Sequence, residues 1–296
     1  MKWLRFLFLP FTQALIKGIS LGSGLETNNR ALDCFWSHPP EFYISTLNDI
    51  GFNSLRIPFS SQYVDEGDFH ILDQVFDLAK EHQMTILLDL HRVYNSHQGD
   101  ITEISKDKLI KTWEKILDRY KDQEHLTSVG IWNEYQGEDK NFWNGYLKDV
   151  IQTLEEKYPN RFIYYASGVR WAGSLHGLNL EDLPFKDRIR YEWHKYRFSS
   201  SNNWRNDWDW SIESGIPKER IVVGEWGFMS NNEFDMEWAN AFVDYLIEKN
   251  VRNTYFWMDW ISSGDTGGIG IDCDRTDWRK VEILKRLWEN RHLRGK

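Results

Sequence analysis

Eight short apolar runs recur along this chain, and stretches with helical periodicity separate most of them. Runs that are apolar throughout, rather than alternating with polar residues, indicate parallel strands buried on both faces. We predict strands over residues 14–20, 54–58, 85–90, 128–133, 162–166, 189–193, 221–225 and 253–257. Helices are predicted over residues 41–50, 69–82, 106–120, 139–157, 235–250 and 278–291.

This order of elements predicts an α/β protein built as a single (β/α)8 TIM barrel over residues 1–296, with no linker rich in Ser, Pro or Gly. A doubly wound open sheet is the structural alternative, and it usually carries a Gly-rich phosphate turn after an early strand. Residues 21–24 (Leu-Gly-Ser-Gly) come nearest to such a turn, but they lack the third Gly and precede no clear helix. We therefore interpret them as a loop.

Two segments depart from the regular repeat. The unit after residues 162–166 lacks a clear helical pattern. Residues 198–210 are rich in Ser, Asn, Asp and Trp, and we predict a long loop there, on the functional face of the barrel.

The charge balance limits the partners of this chain. Its formal net charge is −9, and no basic block occurs in it. We therefore expect neither nucleic acid nor a membrane as a partner, and we expect a monomer. No apolar run approaches transmembrane length.

Tryptophan is unusually frequent, with 16 residues in the chain. A large aromatic core would account for about half of them. The others would line a groove that stacks on sugar rings. Trp36, Trp171, Trp204 and Trp208 favour this second role, because they stand beside polar residues in predicted loops.

The two Cys residues, Cys34 and Cys273, form no Cys-x-x-Cys pair and belong to no His/Cys cluster. A structural zinc site is therefore not predicted, and we expect neither metal nor cofactor. Cys34 follows the first predicted strand and Cys273 the eighth, and these strands are neighbours in a closed barrel. A disulfide between the two loops and a pair of free thiols are both open interpretations.

The N-terminus faintly resembles a signal peptide, with Lys2 and Arg5 around an apolar stretch. It lacks a small-residue cleavage site, and residues 15–20 already fit the first strand. We therefore predict no cleaved signal and assign no cellular location.

Two carboxylates stand at the ends of apolar runs. Glu134 ends the run Val-Gly-Ile-Trp-Asn-Glu, and Glu225 ends Ile-Val-Val-Gly-Glu. A carboxylate at the C-terminal end of a buried strand is costly unless it has a function, and barrel enzymes place their chemistry there. The sequence therefore predicts two acids facing each other across a cleft.

Other polar and aromatic residues occupy the same strand ends. Singly, Arg56 could be a buried ion-pair partner, His91 a core histidine and Trp257 a core residue. Together they are too polar and too regularly placed to be core filling. The set at the predicted mouth is Arg56, His91, Asn133, Glu134, His194, Tyr196, Glu225 and Trp257.

Hydrolysis of a glycosidic bond suits this set. One carboxylic acid must give a proton to the leaving oxygen, while the other carboxylate stays ionised. Arg56 and Tyr196 could hold Glu225 ionised, Asn133 could bond the sugar 2-hydroxyl, and Trp257 offers a flat apolar face. A metal-dependent hydrolase is the competing barrel chemistry, but it needs clustered His and Asp ligands, and the His residues here are scattered.

These motifs resemble those of glycoside hydrolase family 5, a family of retaining (β/α)8-barrel glycosidases. The resemblance covers residues 16–287 and is greatest to bacterial and archaeal endo-β-1,4-glucanases, which are cellulases. It rests on the segments 51–58 (GFNSLRIP), 88–92 (LDLHR), 133–134 (NE), 194–196 (HKY), 224–227 (GEWG) and 263–269 (SGDTGGI).

The resemblance implies a double displacement with Glu225 as nucleophile and Glu134 as acid and then base. It implies substrate binding by Arg56, His91, Asn133, His194, Tyr196 and Trp257, to which we add Trp36 and Trp171 from the aromatic pattern. Its substrate would be a β-glycan, and the family expectation is extracellular action.

Three departures from the family pattern leave the exact glycan open. Tyr135 follows the acid where Pro is usual, Trp260 replaces a usual Asn, and residues 21–24 lack the aromatic pair of the cellulases. Mannan, mixed-linkage glucan and glycolipid remain alternatives, as do transglycosylation and a non-catalytic glycan-binding barrel.

Overall fold

The strands of the barrel follow one another in chain order. The computed structural model describes residues 15–22, 25, 37–97, 99–200, 203–258 and 266–293. Each parallel strand pairs with the next, and the first pairs with the eighth, which closes the barrel. This confirms the predicted (β/α)8 barrel. The strands are β1 (Lys17–Leu21), β2 (Ser54–Ser60), β3 (Thr85–Arg92), β4 (Leu126–Gly130), β5 (Ile163–Ser167), β6 (Ile189–Tyr196), β7 (Ile221–Gly227) and β8 (Thr254–Met258).

Helices cover the outside of the barrel, except after β5, where the described residues form turns and a short 3-10 helix, Lys186–Arg188. The missing helix in that unit agrees with the sequence. A short hairpin of β9 (Gly270–Asp272) and β10 (Arg275–Thr276) precedes the last helix. The helices are α1 (Pro40–Ile50), α2 (Ser61–Glu66), α3 (His70–Glu81), α4 (Lys106–Tyr120), α5 (Lys140–Lys157), α6 (Trp204–Ile212), α7 (Glu233–Lys249) and α8 (Trp278–Trp288).

The long loop predicted over residues 198–210 is wrong in part, because α6 occupies its second half. Trp208 is completely buried against Trp238 and Phe242, so its predicted place in a sugar-binding groove is also wrong. Trp204 is partly buried and stacks on Trp208. Both rings extend the core between the barrel and α7. The short helix α2 was not predicted.

Local sequence explains where the main helices begin and end. Ser105 precedes α4, and its hydroxyl accepts a hydrogen bond from the Lys108 amide, which satisfies a free N–H of the first turn. The buried face of α4 carries Leu109 and Trp113 at a spacing of one turn. Gly51 ends α1 in the left-handed conformation, with φ of 115°.

The barrel interior changes from apolar to polar along its axis. At the N-terminal side, Tyr165 and Tyr255 pack with Leu87, and the absence of a side chain at Gly18 leaves space for the Tyr255 ring. Along β3, Leu87 is followed on the same face by Asp89 and then by His91. The polar interior therefore lies at the C-terminal ends of the strands. Within the described ranges, no helix combines the length and apolarity needed to cross a bilayer.

Candidate active site

A cleft of about 600 Å³ opens at the C-terminal ends of the strands. It brings together eight of the residues predicted from the sequence, which come from five different strand ends and one loop. They are His91, Asn133, Glu134, Trp171, His194, Tyr196, Glu225 and Trp257.

Glu225 is held by donors on two sides. Arg56 Nη1 donates to its Oε1 atom at 2.8 Å, and the Tyr196 hydroxyl donates to its Oε2 atom at 3.2 Å. Burial raises the pKa of Tyr196 well above its usual value, and the charge of Glu225 adds to this, so the hydroxyl stays a donor. Cationic and hydroxyl donors favour the ionised carboxylate. Both oxygens of Glu225 are therefore fixed in direction by donors.

The predicted role of Arg56 in substrate binding needs correction. Its side chain is completely buried and does not line the cleft. Besides Glu225, the guanidinium donates to the Asn133 side-chain oxygen at 2.7 Å and to Ser20 at 3.1 Å. Arg56 therefore orients residues that line the cleft instead of contacting a sugar itself.

Glu134 lies just beyond the end of β4, and its side chain is 14% exposed. Its Oε1 atom is 2.9 Å from Nδ1 of His194, and that same nitrogen is 3.7 Å from Oε2 of Glu225. His194 and Glu225 are register partners on β6 and β7, beside a register shift between Trp193 and His194. An irregularity of this kind can redirect a side chain at a barrel rim. His194 thus lies between the two carboxylates.

His91 and Asn133 form the side of the cleft next to Arg56. His91 Nδ1 is 2.9 Å from Oδ2 of Asp89, and its Nε2 is 3.3 Å from the Asn133 amide nitrogen. Burial lowers the pKa of His91 well below its usual value, so the ring is neutral. Its proton then sits on Nδ1, facing Asp89, and Nε2 accepts from Asn133. These two hydrogen bonds, from Asp89 through His91 to Asn133, fix the orientation of the Asn133 amide.

The two carboxyl groups approach closely. One oxygen of Glu134, one of Glu225 and a ring nitrogen of His194 all lie within 4.8 Å of one another. Retaining glycosidases hold their carboxyl groups about 5–5.5 Å apart, whereas inverting ones leave about 6.5–9.5 Å for a water molecule. The short separation fits direct attack by one carboxylate on the sugar.

These three groups are also potential metal ligands, but the state of His194 opposes that use. Burial disfavours a charged ring, yet Glu225, Glu134 and Glu192 together raise the pKa of His194 to about 10. A metal needs the neutral imidazole as its ligand. Both ring nitrogens already face carboxylate oxygens, those of Glu134 and Glu192, so the ring as placed here directs no free nitrogen at a metal.

An unusual backbone segment forms one wall of the cleft. Arg170, Trp171 and Ala172 follow one another in the left-handed region, with φ of 56°, 54° and 53°. Such residues cost about 1–3 kcal/mol each and persist only where the surroundings hold them. The Trp171 amide donates to the Tyr135 carbonyl at 2.9 Å, and the His194 amide donates to the Ala172 carbonyl at 3.0 Å. The segment therefore ties the residue after Glu134 to β6.

Aromatic rings flank this segment. Trp171 is 51% exposed and Trp210 is 41% exposed, and both line the cleft. The Arg170 guanidinium lies 5.3 Å from the centre of the Trp210 ring. On the neighbouring wall, Phe198 stacks on Tyr196 with ring centres 5.2 Å apart. These exposed rings offer flat apolar surface next to Glu134.

Three residues of this site were not predicted from the sequence: Asp89, Glu192 and Trp210. Glu192 lies inside the predicted strand over residues 189–193, where Arg190, Glu192 and His194 alternate with Tyr191 and Trp193. That alternation is the signal for inward polar positions on a barrel strand. Trp36, Cys34 and Trp260 lie outside the described residues, so substrate binding by Trp36 stays a prediction. Cys273 is disulfide-bonded, and since Cys34 is the other of the two Cys residues, this agrees with the bridged alternative.

Comparison with known proteins adds to this geometry. The family model described as Cellulase (glycosyl hydrolase family 5) matches residues 21–263. An endoglucanase of Paenibacillus polymyxa is 26% identical, over 89% of this chain and 80% of that protein. The major extracellular endoglucanase of Xanthomonas campestris is 23% identical, over 92% of this chain and 67% of that protein.

Solved structures show the same fold. An endocellulase from the archaeon Pyrococcus horikoshii superposes with a TM-score of 0.79 at 20% identity, covering 93% of this chain and 92% of that one. The catalytic domain of the Xanthomonas campestris endoglucanase gives a TM-score of 0.78 at 21% identity, with 93% and 95% covered.

Proposed function

Because this chain belongs to the cellulase family, glycosyl hydrolase family 5, we propose that it is a retaining endo-β-1,4-glucanase. The observation that carries this proposal is the pair of carboxylates, Glu134 and Glu225, whose nearest oxygens lie within 4.8 Å across an open cleft. The proposal also agrees with the endoglucanase activity named for both relatives.

In the first step, Glu225 attacks the anomeric carbon while Glu134 gives its proton to the glycosidic oxygen. The bond to the leaving sugar breaks, and a covalent bond forms between the sugar and Glu225. Arg56 and Tyr196 each donate to one oxygen of the attacking carboxylate and fix its direction. Catalysis in this step depends on the different hydrogen-bonding environments of the two acids.

In the second step, Glu134 acts as a base. It takes a proton from a water molecule, which attacks the anomeric carbon and releases Glu225. His194 remains beside Glu134, with its Nδ1 at 2.9 Å, and stabilises the negative charge that Glu134 carries between the steps. The same carboxyl group thus serves as acid and base.

The aromatic wall provides a place for the leaving sugar. Trp171 is tied by its amide to the residue after Glu134, so it stands on the side from which the leaving oxygen is protonated. Trp257 also lines the cleft, with its ring 5.7 Å from that of His91. A solved complex of the Pyrococcus horikoshii endocellulase contains cellotetraose, and a β-1,4-glucan of this kind is the substrate that we propose for this cleft.

The test is hydrolysis of a panel of soluble cellulose derivative, mixed-linkage glucan, mannan and xylan, by wild type and by Glu134→Gln and Glu225→Gln. Wild type should release reducing ends fastest from the β-1,4-glucans, and both variants should lose at least about a thousandfold. Glu248→Gln is the control, since Glu248 is half exposed on α7 and pairs with Arg205. Cleavage of mannan alone would contradict the proposed substrate. If wild type and both variants bind the glycans but cleave none of them, the proposed enzymatic activity is contradicted.

A further inference from the structure

A buried carboxylate beneath His194 takes no part in the steps above. Glu192 is completely buried on β6, and its Oε1 atom lies 3.2 Å from Nε2 of His194 and 3.0 Å from Nε of Arg56. A Cβ atom at Gly224, the residue before Glu225, would overlap this carboxyl group. The Gly beside Glu225 therefore leaves the space that Glu192 fills.

The ring of His194 is held from both ends. Nε2 faces Glu192, and Nδ1 faces Glu134 at 2.9 Å. The buried Glu192 carboxylate only accepts, so Nε2 donates to it. Oε1 of Glu134 can accept from Nδ1 both when Glu134 carries its catalytic proton on Oε2 and after that proton has left, so Nδ1 donates as well and the ring is an imidazolium. The raised pKa of His194, about 10, agrees with this geometry. Burial opposes ionisation of Glu192, but Arg56 and His194 lower its pKa below the usual value.

We propose that Glu192 is a positioning residue for the reaction, which anchors the His194 imidazolium so that its Nδ1–H points at Glu134. This inference rests on the proposed function, because it assigns Glu134 as the proton donor. When Glu134 gives up its proton, a carboxylate forms 2.9 Å from a fixed cation. A cation held in place before the step stabilises that charge without reorganisation.

Charged and titratable groups surround His194 on several strands, and all of them remain in place when Glu192 alone is changed. They are Arg56 on β2, Asp89 and His91 on β3, Glu134 after β4 and Glu225 on β7. Glu192 alone among these acids contacts Nε2 of the ring within the described residues. Its loss would free the ring to turn away from Glu134.

Asp89 provides a matched control. It is also completely buried and also pairs with Arg56, with Oδ2 at 3.1 Å from Nη2, but the ring it contacts belongs to His91. Glu192→Gln and Asp89→Asn therefore each replace a buried acid beside the same guanidinium by its amide. They differ in which histidine loses its partner.

The first readout is NMR titration of the ¹⁵N-labelled histidine rings, with His194 assigned by the signal lost in His194→Gln. In wild type, His194 should remain doubly protonated through pH 8. Glu192→Gln should lower its titration midpoint by at least about one pH unit, and Asp89→Asn by less than half of that. This measurement does not depend on activity, so it can fail or succeed separately from the proposed function.

The second readout is kinetic. Glu192→Gln should lower kcat at least about tenfold with KM changed less than about twofold, because Glu192 does not reach the cleft, and Glu192→Asp should recover part of kcat. A neutral His194 in wild type at pH 7 would overturn the proposal without any variant. So would equal shifts of the His194 titration midpoint in Glu192→Gln and Asp89→Asn, which would make Glu192 only a counter-charge for Arg56.

Discussion

Arg56 Nη1 lies 2.8 Å from Glu225 Oε1, and this contact joins the floor of the cleft to the centre of the barrel. The guanidinium is completely buried and also pairs with Asp89 and Glu192. One cation therefore compensates acids from three other strands. The stability of the barrel and the orientation of Glu225 therefore depend on the same side chain.

Replacing Arg56 by Gln should destabilise the fold by about 3–5 kcal/mol, because buried carboxylates would lose their counter-charge. Urea unfolding at pH 7 measures this. Arg205→Gln is the matched control, since Arg205 pairs with Glu248 on the surface and its loss should cost at most about 1 kcal/mol. If both variants lose a similarly small amount of unfolding free energy, the stability of the fold does not depend on the buried ion pairs of Arg56.

Glu134→Ala should discriminate between leaving groups. A sugar leaving group needs a proton, so cleavage of a glucan should fall by about 10²–10⁴-fold or more. An aryl β-cellobioside whose phenol is strongly acidic needs no proton, so formation of its covalent intermediate should slow far less. Pre-steady-state release of the phenol measures that step. An equal loss for both substrates would contradict the role of Glu134 as acid.

Stability should depend on pH through Lys280, which is 3% exposed on α8 and donates to the carbonyl of Gly268 near the cleft. Burial lowers the pKa of Lys280 to about 8. The unfolded chain, with a pKa near 10.4, therefore binds more protons than the folded one between about pH 8 and 10.4, and the contribution of Lys280 to stability rises with pH there. The unfolding free energy of wild type minus that of Lys280→Met should therefore increase as the pH rises through this window. A constant difference would contradict the lowered pKa.

Replacement by alanine should change the stability of the fold in opposite directions at two glycines. Gly224→Ala would overlap the Glu192 carboxyl group and should destabilise the fold by about 1–3 kcal/mol. Gly145 is exposed within α5, and a Cβ there meets no described atom within 4 Å. Gly145→Ala should therefore stabilise by about 0.5–1 kcal/mol. Thermal unfolding of the two variants tests the pair, and an unchanged Tm for Gly224→Ala would mean that Glu192 can move aside.

The barrel could be predicted because its strands are apolar throughout. The runs ending at Pro58 and Glu225 lie within β2 and β7, every residue of which is buried. The carboxylates stood out for the same reason, as acids that end apolar runs. The predicted bounds of α4, residues 106–120, match the observed helix, because its apolar residues follow the helical period.

Where a prediction from the sequence was wrong or missing, tertiary contacts explain the difference. Trp208 stands among polar residues in the sequence, yet contacts with Trp238, Phe242 and Tyr245 bury it and favour a helix there. Arg56 looked like a cleft residue because it stands near a strand end, but three buried acids draw its side chain beneath the cleft. Glu192 was missed because its neighbours Tyr191 and Trp193 make the run read as core.

The stereochemistry of the first product tests the central claim most directly. NMR of the anomeric proton, recorded during the first minutes of cellotetraose or cellopentaose cleavage and before mutarotation, identifies the anomer that is released. Double displacement through Glu225 predicts that the β-anomer appears first and that the α-anomer grows only at the rate of mutarotation. Initial release of the α-anomer would contradict the assignment of Glu225 as the nucleophile.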